Sequence, residues 1–134
     1  MKKHVQVVGA VIRNHRNEIL CALRSSKMSL SNLWEFPGGK IELHETPSQS
    51  LIREINEELK CNIKVKHPVE KTTYEYDAII VTLHTFEAEI VTGEPIAVEH
   101  AELRWVSVSD LDQLEWAPAD IPAVEYIKKE FATP

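Results

Sequence analysis

The scarcities of this chain narrow its function first. It carries 2 cysteines in 134 residues, Cys21 and Cys61. Neither belongs to a CxxC pair or a Cys/His cluster, which argues against a zinc centre. Both are expected to be buried thiols in a reducing compartment. No apolar run approaches the ~20 residues of a membrane-spanning helix. Basic residues are outnumbered, with 15 Lys and Arg against 21 Asp and Glu for a net charge of −6. That balance speaks against coating a nucleic-acid backbone, which relies on clustered Lys and Arg. Met1-Lys2-Lys3 resembles the start of an export signal. However, the apolar stretch after it is short, and it runs into Arg13-Asn14-His15-Arg16 with no small-residue cleavage site. The expectation is a cytoplasmic protein, monomer or homodimer, with neither a membrane nor a nucleic-acid polymer as partner.

What is present suffices for one core. Apolar residues make up 43% of the chain, and the length fits a single domain over 1–134. Val5 to Ile12 is rich in β-branched residues and predicts a strand. Asn14 to Asn17 predicts a turn, Glu18 to Leu23 a second strand, and Arg24 to Asn32 a polar loop. The clearest helix starts at Pro47. Thr46 suits the N-cap, and Gln49 completes a capping box three residues later. It should run to Leu59 or Lys60. Asn62 to Tyr76 and Ala78 to Val91 predict long strands, with Ala78-Ile79-Ile80-Val81 buried on both faces. Leu103 to Val108 predicts another strand, and Ile121 to Phe131 a last helix on the spacing of Ile121, Val124, Ile127 and Phe131. The class is α/β in one unit.

At about 100° per residue, Glu54, Glu57 and Glu58 fall within about a 100° arc of the first helix, while Ile52, Ile55 and Leu59 share a separate, packing arc. Like charges so placed repel. A solvated acidic face is one reading. A hard divalent cation is the other, because Mg²⁺ takes a few carboxylate oxygens and commonly bridges to substrate phosphates. Context favours the cation. Arg53 sits beside the cluster, Glu45 lies just before the helix, and Gly38-Gly39 let backbone approach a ligand closely.

These residues reach a family pattern. Gly39, five residues, Glu45, seven residues, Arg53-Glu54-Ile55, then Glu57-Glu58 resembles the Nudix box. Lys60 and Cys61 depart from its closing Gly and aliphatic residue. Those positions end the helix and are not metal ligands. Leu33 to Glu42 is similar to the MutT branch of the Nudix hydrolases. Ala117-Pro118-Ala119-Asp120-Ile121-Pro122 is similar to the bacterial CTP pyrophosphohydrolases of that branch.

The resemblance implies a Nudix-like α/β/α sandwich with a mixed β-sheet. It also implies Mg²⁺, with Mn²⁺ as a possible substitute, held by Glu54, Glu57, Glu58 and the Gly38 carbonyl. Arg53 is then expected to orient a ligand glutamate, and Glu45 to support the loop. A further carboxylate is assigned to Glu99, with Glu102 as fallback. Glu54 is the expected general base, with Glu99 as alternative. Lys40 and Arg24 are candidate phosphate contacts, or solvated charges. Phe36 offers a ring face to a base, or belongs to the core. Asp120 reads the base, or caps the last helix. An ionised Asp120 accepts hydrogen bonds only. The implied reaction converts a nucleoside triphosphate into a monophosphate and pyrophosphate, on CTP or dCTP-type or oxidised and modified nucleotides. Alternatives are a nucleotide-sugar hydrolase and a nucleotide-sensing domain that does not cut.

Overall fold

The structure is a computed structural model that describes residues 2–132, so Met1, Thr133 and Pro134 of the expected 1–134 domain lie outside it. Its strands are β1 (Lys3–Ile12), β2 (Glu18–Leu23), β3 (Trp34–Glu35), β4 (Gly38–Lys40), β5 (Asn62–Glu75), β6 (Ile79–Thr92) and β7 (Glu102–Ser107). Helix α1 spans Pro47–Leu59 and α2 spans Ile121–Glu130, with 3₁₀ turns at Val108–Gln113 and Pro118–Asp120. One sheet has the order β4-β1-β6-β5, the other β3-β2-β7. Within that first sheet β1 and β6 pair in parallel and the other described pairings are antiparallel, which makes the sheet mixed. Asn17, at φ 59°, lies in the turn between β1 and β2, which enter different sheets and meet in an Arg13–Ile19 bridge. The Asn14 carboxamide accepts from the Arg16 and Glu18 N–H groups, the side-chain-to-backbone bonding that suits Asn to turns.

Strand alternation divides β1 between two cores. Val8, Ala10 and Ile12 pack with Leu51, Ile55 and Leu59 of α1. Val11 packs with Trp34, Trp116, Val124 and Ile127 toward α2. Successive side chains leave a strand on opposite faces, so a single strand joins both layers of an α/β/α sandwich. Cys21 and Cys61 are both free and buried.

Two expectations are corrected. The packing arc of α1 is Leu51, Ile55 and Leu59, and Ile52 is 41% exposed. Spacing of four residues keeps those three in one stripe, and Ile52 falls at its edge. The segment 78–81 is not buried on both faces, since Ala78 is exposed and Ile79, Ile80 and Val81 are half-buried. Ile79 and Val81 line an open cleft instead.

Helix α1 begins as anticipated. The Thr46 hydroxyl accepts from Gln49 N, and the Gln49 side chain accepts from Thr46 N. It ends at Lys60, which adopts φ 60° and ψ 34° and donates its N–H to Asn56 O. A lysine therefore fills the left-handed position for which glycine is suited. Lys60→Gly is expected to stabilise the fold by about 0.5–1 kcal/mol and raise Tm by a few °C. A lower Tm would contradict this account of the helix end.

Candidate active site

The rotation of α1 grades its three glutamates. Measured from Ile55 at the centre of the buried stripe, Glu58 lies about 60° away, Glu54 about 100° and Glu57 about 160°. Burial follows that order. Glu58 Oε2 is fully buried and has no hydrogen-bond partner among the described residues. Glu54 has a side chain 13% exposed, against 59% for Glu57.

Arg53 gathers what surrounds them. Its Nε and Nη2 grip Glu45 through both carboxylate oxygens at 2.6 and 2.9 Å. Nη2 also donates to Lys40 O at 3.1 Å. Nη1 reaches Glu54 Oε2 at 3.1 Å and Glu57 Oε2 at 3.3 Å. The Ser50 hydroxyl donates to Lys40 O as well. One guanidinium thus fastens the loop between β4 and α1 to the helix and spreads its charge over the glutamates. Its planar fork suits this, whereas an ammonium would not.

The glycines make the fit possible. A Cβ on Gly39 would overlap the Glu54 carboxylate, and one on Gly38 would overlap the Val8 carbonyl. Both residues line a cleft of about 850 Å³ with Lys40, Glu58, Arg24, Phe36 and Asp120, which is within the range of small-molecule sites. Val5, Val7 and Val8 of β1 with Ile79, Val81 and Leu83 of β6 form one wall.

Asp120 does not cap α2, because its side chain makes no capping bond there. Its Oδ1 instead accepts from Phe36 N at 3.1 Å. Phe36 is buried, with its ring 4.8 Å from that of Trp116, and it still borders the cleft. Each nitrogen of Arg24 already donates to the protein, to Ser29 or to Glu35. The Lys40 ammonium has no ion-pair partner among the described residues. Glu99 is exposed and close enough to raise the proton affinity of Glu58. Glu102 pairs with Arg104. As the side chains stand, no three His, Cys, Asp or Glu among the described residues converge as an ion-binding group, and Glu57 is turned to Arg53.

Three residues went unmarked in the sequence. Glu35 accepts from Arg24 and pairs with His100 at 2.8 Å. Its charge reaches both Glu58 and Asp120. Tyr76, just after β5, accepts from Ala119 N through its hydroxyl, tying the end of that strand to the Asp120 turn. A charged residue between Trp34 and Phe36 was the one available signal.

The site combines a fixed anion with reluctant ones. The Arg53 hydrogen bonds hold the Glu45 carboxyl down at about 2. Burial pushes Glu58 up to about 7; His100 pulls it back, and Glu54, Glu35 and Glu99 add to the rise. Glu54 is also raised by burial, against Arg53. Burial, then Glu35, raises Asp120 well above the usual carboxylate range. The native state therefore keeps the Glu58 proton from the ordinary 4.5 to about 7, where the unfolded chain has released it. That contribution to stability is present at low pH and is lost as pH rises through this window. Glu58→Gln should consequently stabilise the metal-free protein more at about pH 8 than at about pH 5, by about 1 kcal/mol after solvent screening, or a few °C in Tm. An equal effect at both values would remove Glu58 as a buried, hard-to-ionise carboxyl.

A NUDIX domain family model matches residues 8–126. The chain is 35% identical over 127 residues to the 8-oxo-dGTP diphosphatase of Escherichia coli (strain K12), covering 95% of this chain and 98% of that protein. It is 37% identical over 123 residues to the CTP pyrophosphohydrolase of the same strain, covering 92% and 90%. The solution NMR structure of the DNA mismatch repair protein MutT from methicillin-resistant Staphylococcus aureus 252 shares 52% identity at a TM-score of 0.79, covering 97% of this chain and 99% of that one. With the carboxylate helix, its arginine clamp and the paired glycines falling inside the matched region, the chain belongs to the Nudix hydrolase family.

Proposed function

We propose that this chain is a divalent-metal-dependent nucleoside triphosphate pyrophosphohydrolase, releasing a nucleoside monophosphate and pyrophosphate from CTP or dCTP-type or oxidised nucleotides. One observation carries the reading. Glu58 presents a buried carboxylate oxygen without a partner among the described residues, in a cleft that it shares with Gly38, Gly39 and Lys40. An orphaned buried carboxylate oxygen is costly unless a ligand completes it, and oxygen donors suit a hard cation. The residues therefore fit Mg²⁺, or Mn²⁺ in its place, which Glu54, Glu57, Glu58 and the Gly38 carbonyl would hold, with Glu99 as a further carboxylate. When bound, such an ion neutralises phosphate charge and acidifies water.

The protein groups have separable tasks. Lys40, with no ion-pair partner among the described residues, places an ammonium on the cleft for the phosphate chain. Glu54, raised by burial and steadied by Arg53, accepts the proton of the attacking water. Arg53 keeps Glu54 and Glu57 oriented through its bond to Glu45. Asp120 spends one oxygen on Phe36 N and offers the other to the base. Burial favours its protonated form, which donates as well as accepts. This widens the base edges it can read beyond the acceptor-only role of an ionised carboxylate. The relatives named for 8-oxo-dGTP and CTP support both substrate types.

A panel of CTP, dCTP, dGTP, 8-oxo-dGTP and a nucleoside diphosphate sugar, assayed with Mg²⁺ for pyrophosphate against phosphate, tests this. Pyrophosphate release from a triphosphate is expected, and Asp120→Asn should reorder the bases by about tenfold while leaving the best rate within a few-fold. Release of phosphate alone, turnover confined to the sugar nucleotide, or thermal stabilisation by nucleotide without turnover would overturn the proposal.

A further inference from the structure

His100 has a side chain only 1% exposed, and its Nδ1, like Glu58 Oε2, has no hydrogen-bond partner among the described residues. Its Nε2 lies 2.8 Å from Glu35 Oε2, and since a carboxylate accepts, the imidazole donates there. The other Glu35 oxygen accepts from Arg24 Nη1 at 2.7 Å. Arg24 continues the chain, donating from Nε to Ser29 O at 2.6 Å and from Nη2 to Ser29 Oγ at 3.2 Å. Beside it, Ala101 N donates to Leu23 O. The segment entering β7 therefore holds the loop between β2 and β3 twice, by backbone at its base and by side chains at its middle.

That loop needs such a hold. None of residues 25–32 is buried, so no apolar anchor fixes them. Leu30 and Asn32 adopt φ of 53° and 68°, a conformation that persists only where surrounding contacts over-determine it. Met28 and Leu30 nonetheless line the cleft. We propose that His100 is a positioning residue, which through Glu35 and Arg24 sets residues 25–32 along the nucleotide-binding cleft. Without the imidazole, Glu35 keeps one partner instead of two, and Arg24 loses the fixed acceptor from which it reaches Ser29. The inference rests on the proposed nucleotide reading for its substrate, but not for its loop geometry.

Lys27 gives the loop a trypsin site, so its order can be read with neither nucleotide nor metal present. His100→Leu and Glu35→Gln are each expected to speed cleavage after Lys27 by about tenfold or more relative to other sites. His100→Gln, whose amide can replace the imidazole N–H, should stay within about threefold of the parent. His100→Leu with Glu35→Gln should cleave no faster than either alone, since both break one relay. On the best nucleotide, His100→Leu should raise KM by about tenfold with kcat within about threefold, and His100→Gln should restore KM. Parental cleavage after Lys27 in both His100→Leu and Glu35→Gln overturns the proposal, as does a kcat loss at unchanged KM. Should His100→Leu not fold, Glu35→Gln and His100→Gln decide it by the same cleavage. Absence of turnover in the parent would count against the nucleotide reading alone and leave the cleavage result to judge the loop.

Discussion

The bidentate contact between Arg53 and Glu45 is the constraint on which the site depends. Glu45 sits in the loop and Arg53 on the helix, so their pairing at 2.6 and 2.9 Å docks one on the other. The same guanidinium steadies Glu54 and Glu57 and holds Lys40 O. Without it, Glu54 and Glu57 would lose the cation that opposes their mutual repulsion. The pair is a positioning device first. Its exposure to solvent limits what it adds to stability.

From that clamp outward the carboxyl groups form a gradient of ionisation. Glu45 is held fully ionised by its hydrogen bonds, while Glu58 is pushed toward neutrality by burial. Asp120 is likewise raised by burial, with Glu35 adding to the effect. Glu35 lies between, felt by both Glu58 and Asp120 and held by Arg24 and His100. Neighbouring carboxyl groups are thus ionised to different degrees by their surroundings rather than by their residue type.

Much of this was legible because it is local. The capping box, the helix and the set Gly39, Glu45, Arg53, Glu54, Glu57 and Glu58 lie within one short stretch, where spacing fixes which side chains meet. Resemblance then supplied roles that spacing could not. What escaped is long-range. The bond from Asp120 to Phe36 spans 84 positions and that from His100 to Glu35 spans 65, and no periodicity encodes either. Asp120 before Pro122 carries the marks of a helix cap, yet a distant backbone N–H claims it. Ile79 and Val81 were misread because cleft-lining apolar residues look like core residues in a sequence. Ile52 was misplaced because a helical arc has soft edges, and the strands packed beneath it choose Leu51.

Arg53, tied to Glu45, is the group proposed to hold the glutamates ready for a divalent ion. Mn²⁺ binding to Arg53→Lys, followed by electron paramagnetic resonance of the free ion, tests it most directly. Lysine keeps the charge but loses the fork, so Mn²⁺ affinity should fall by about 10- to 100-fold while Tm changes by only a few °C. Undiminished Mn²⁺ affinity in that variant would contradict the account.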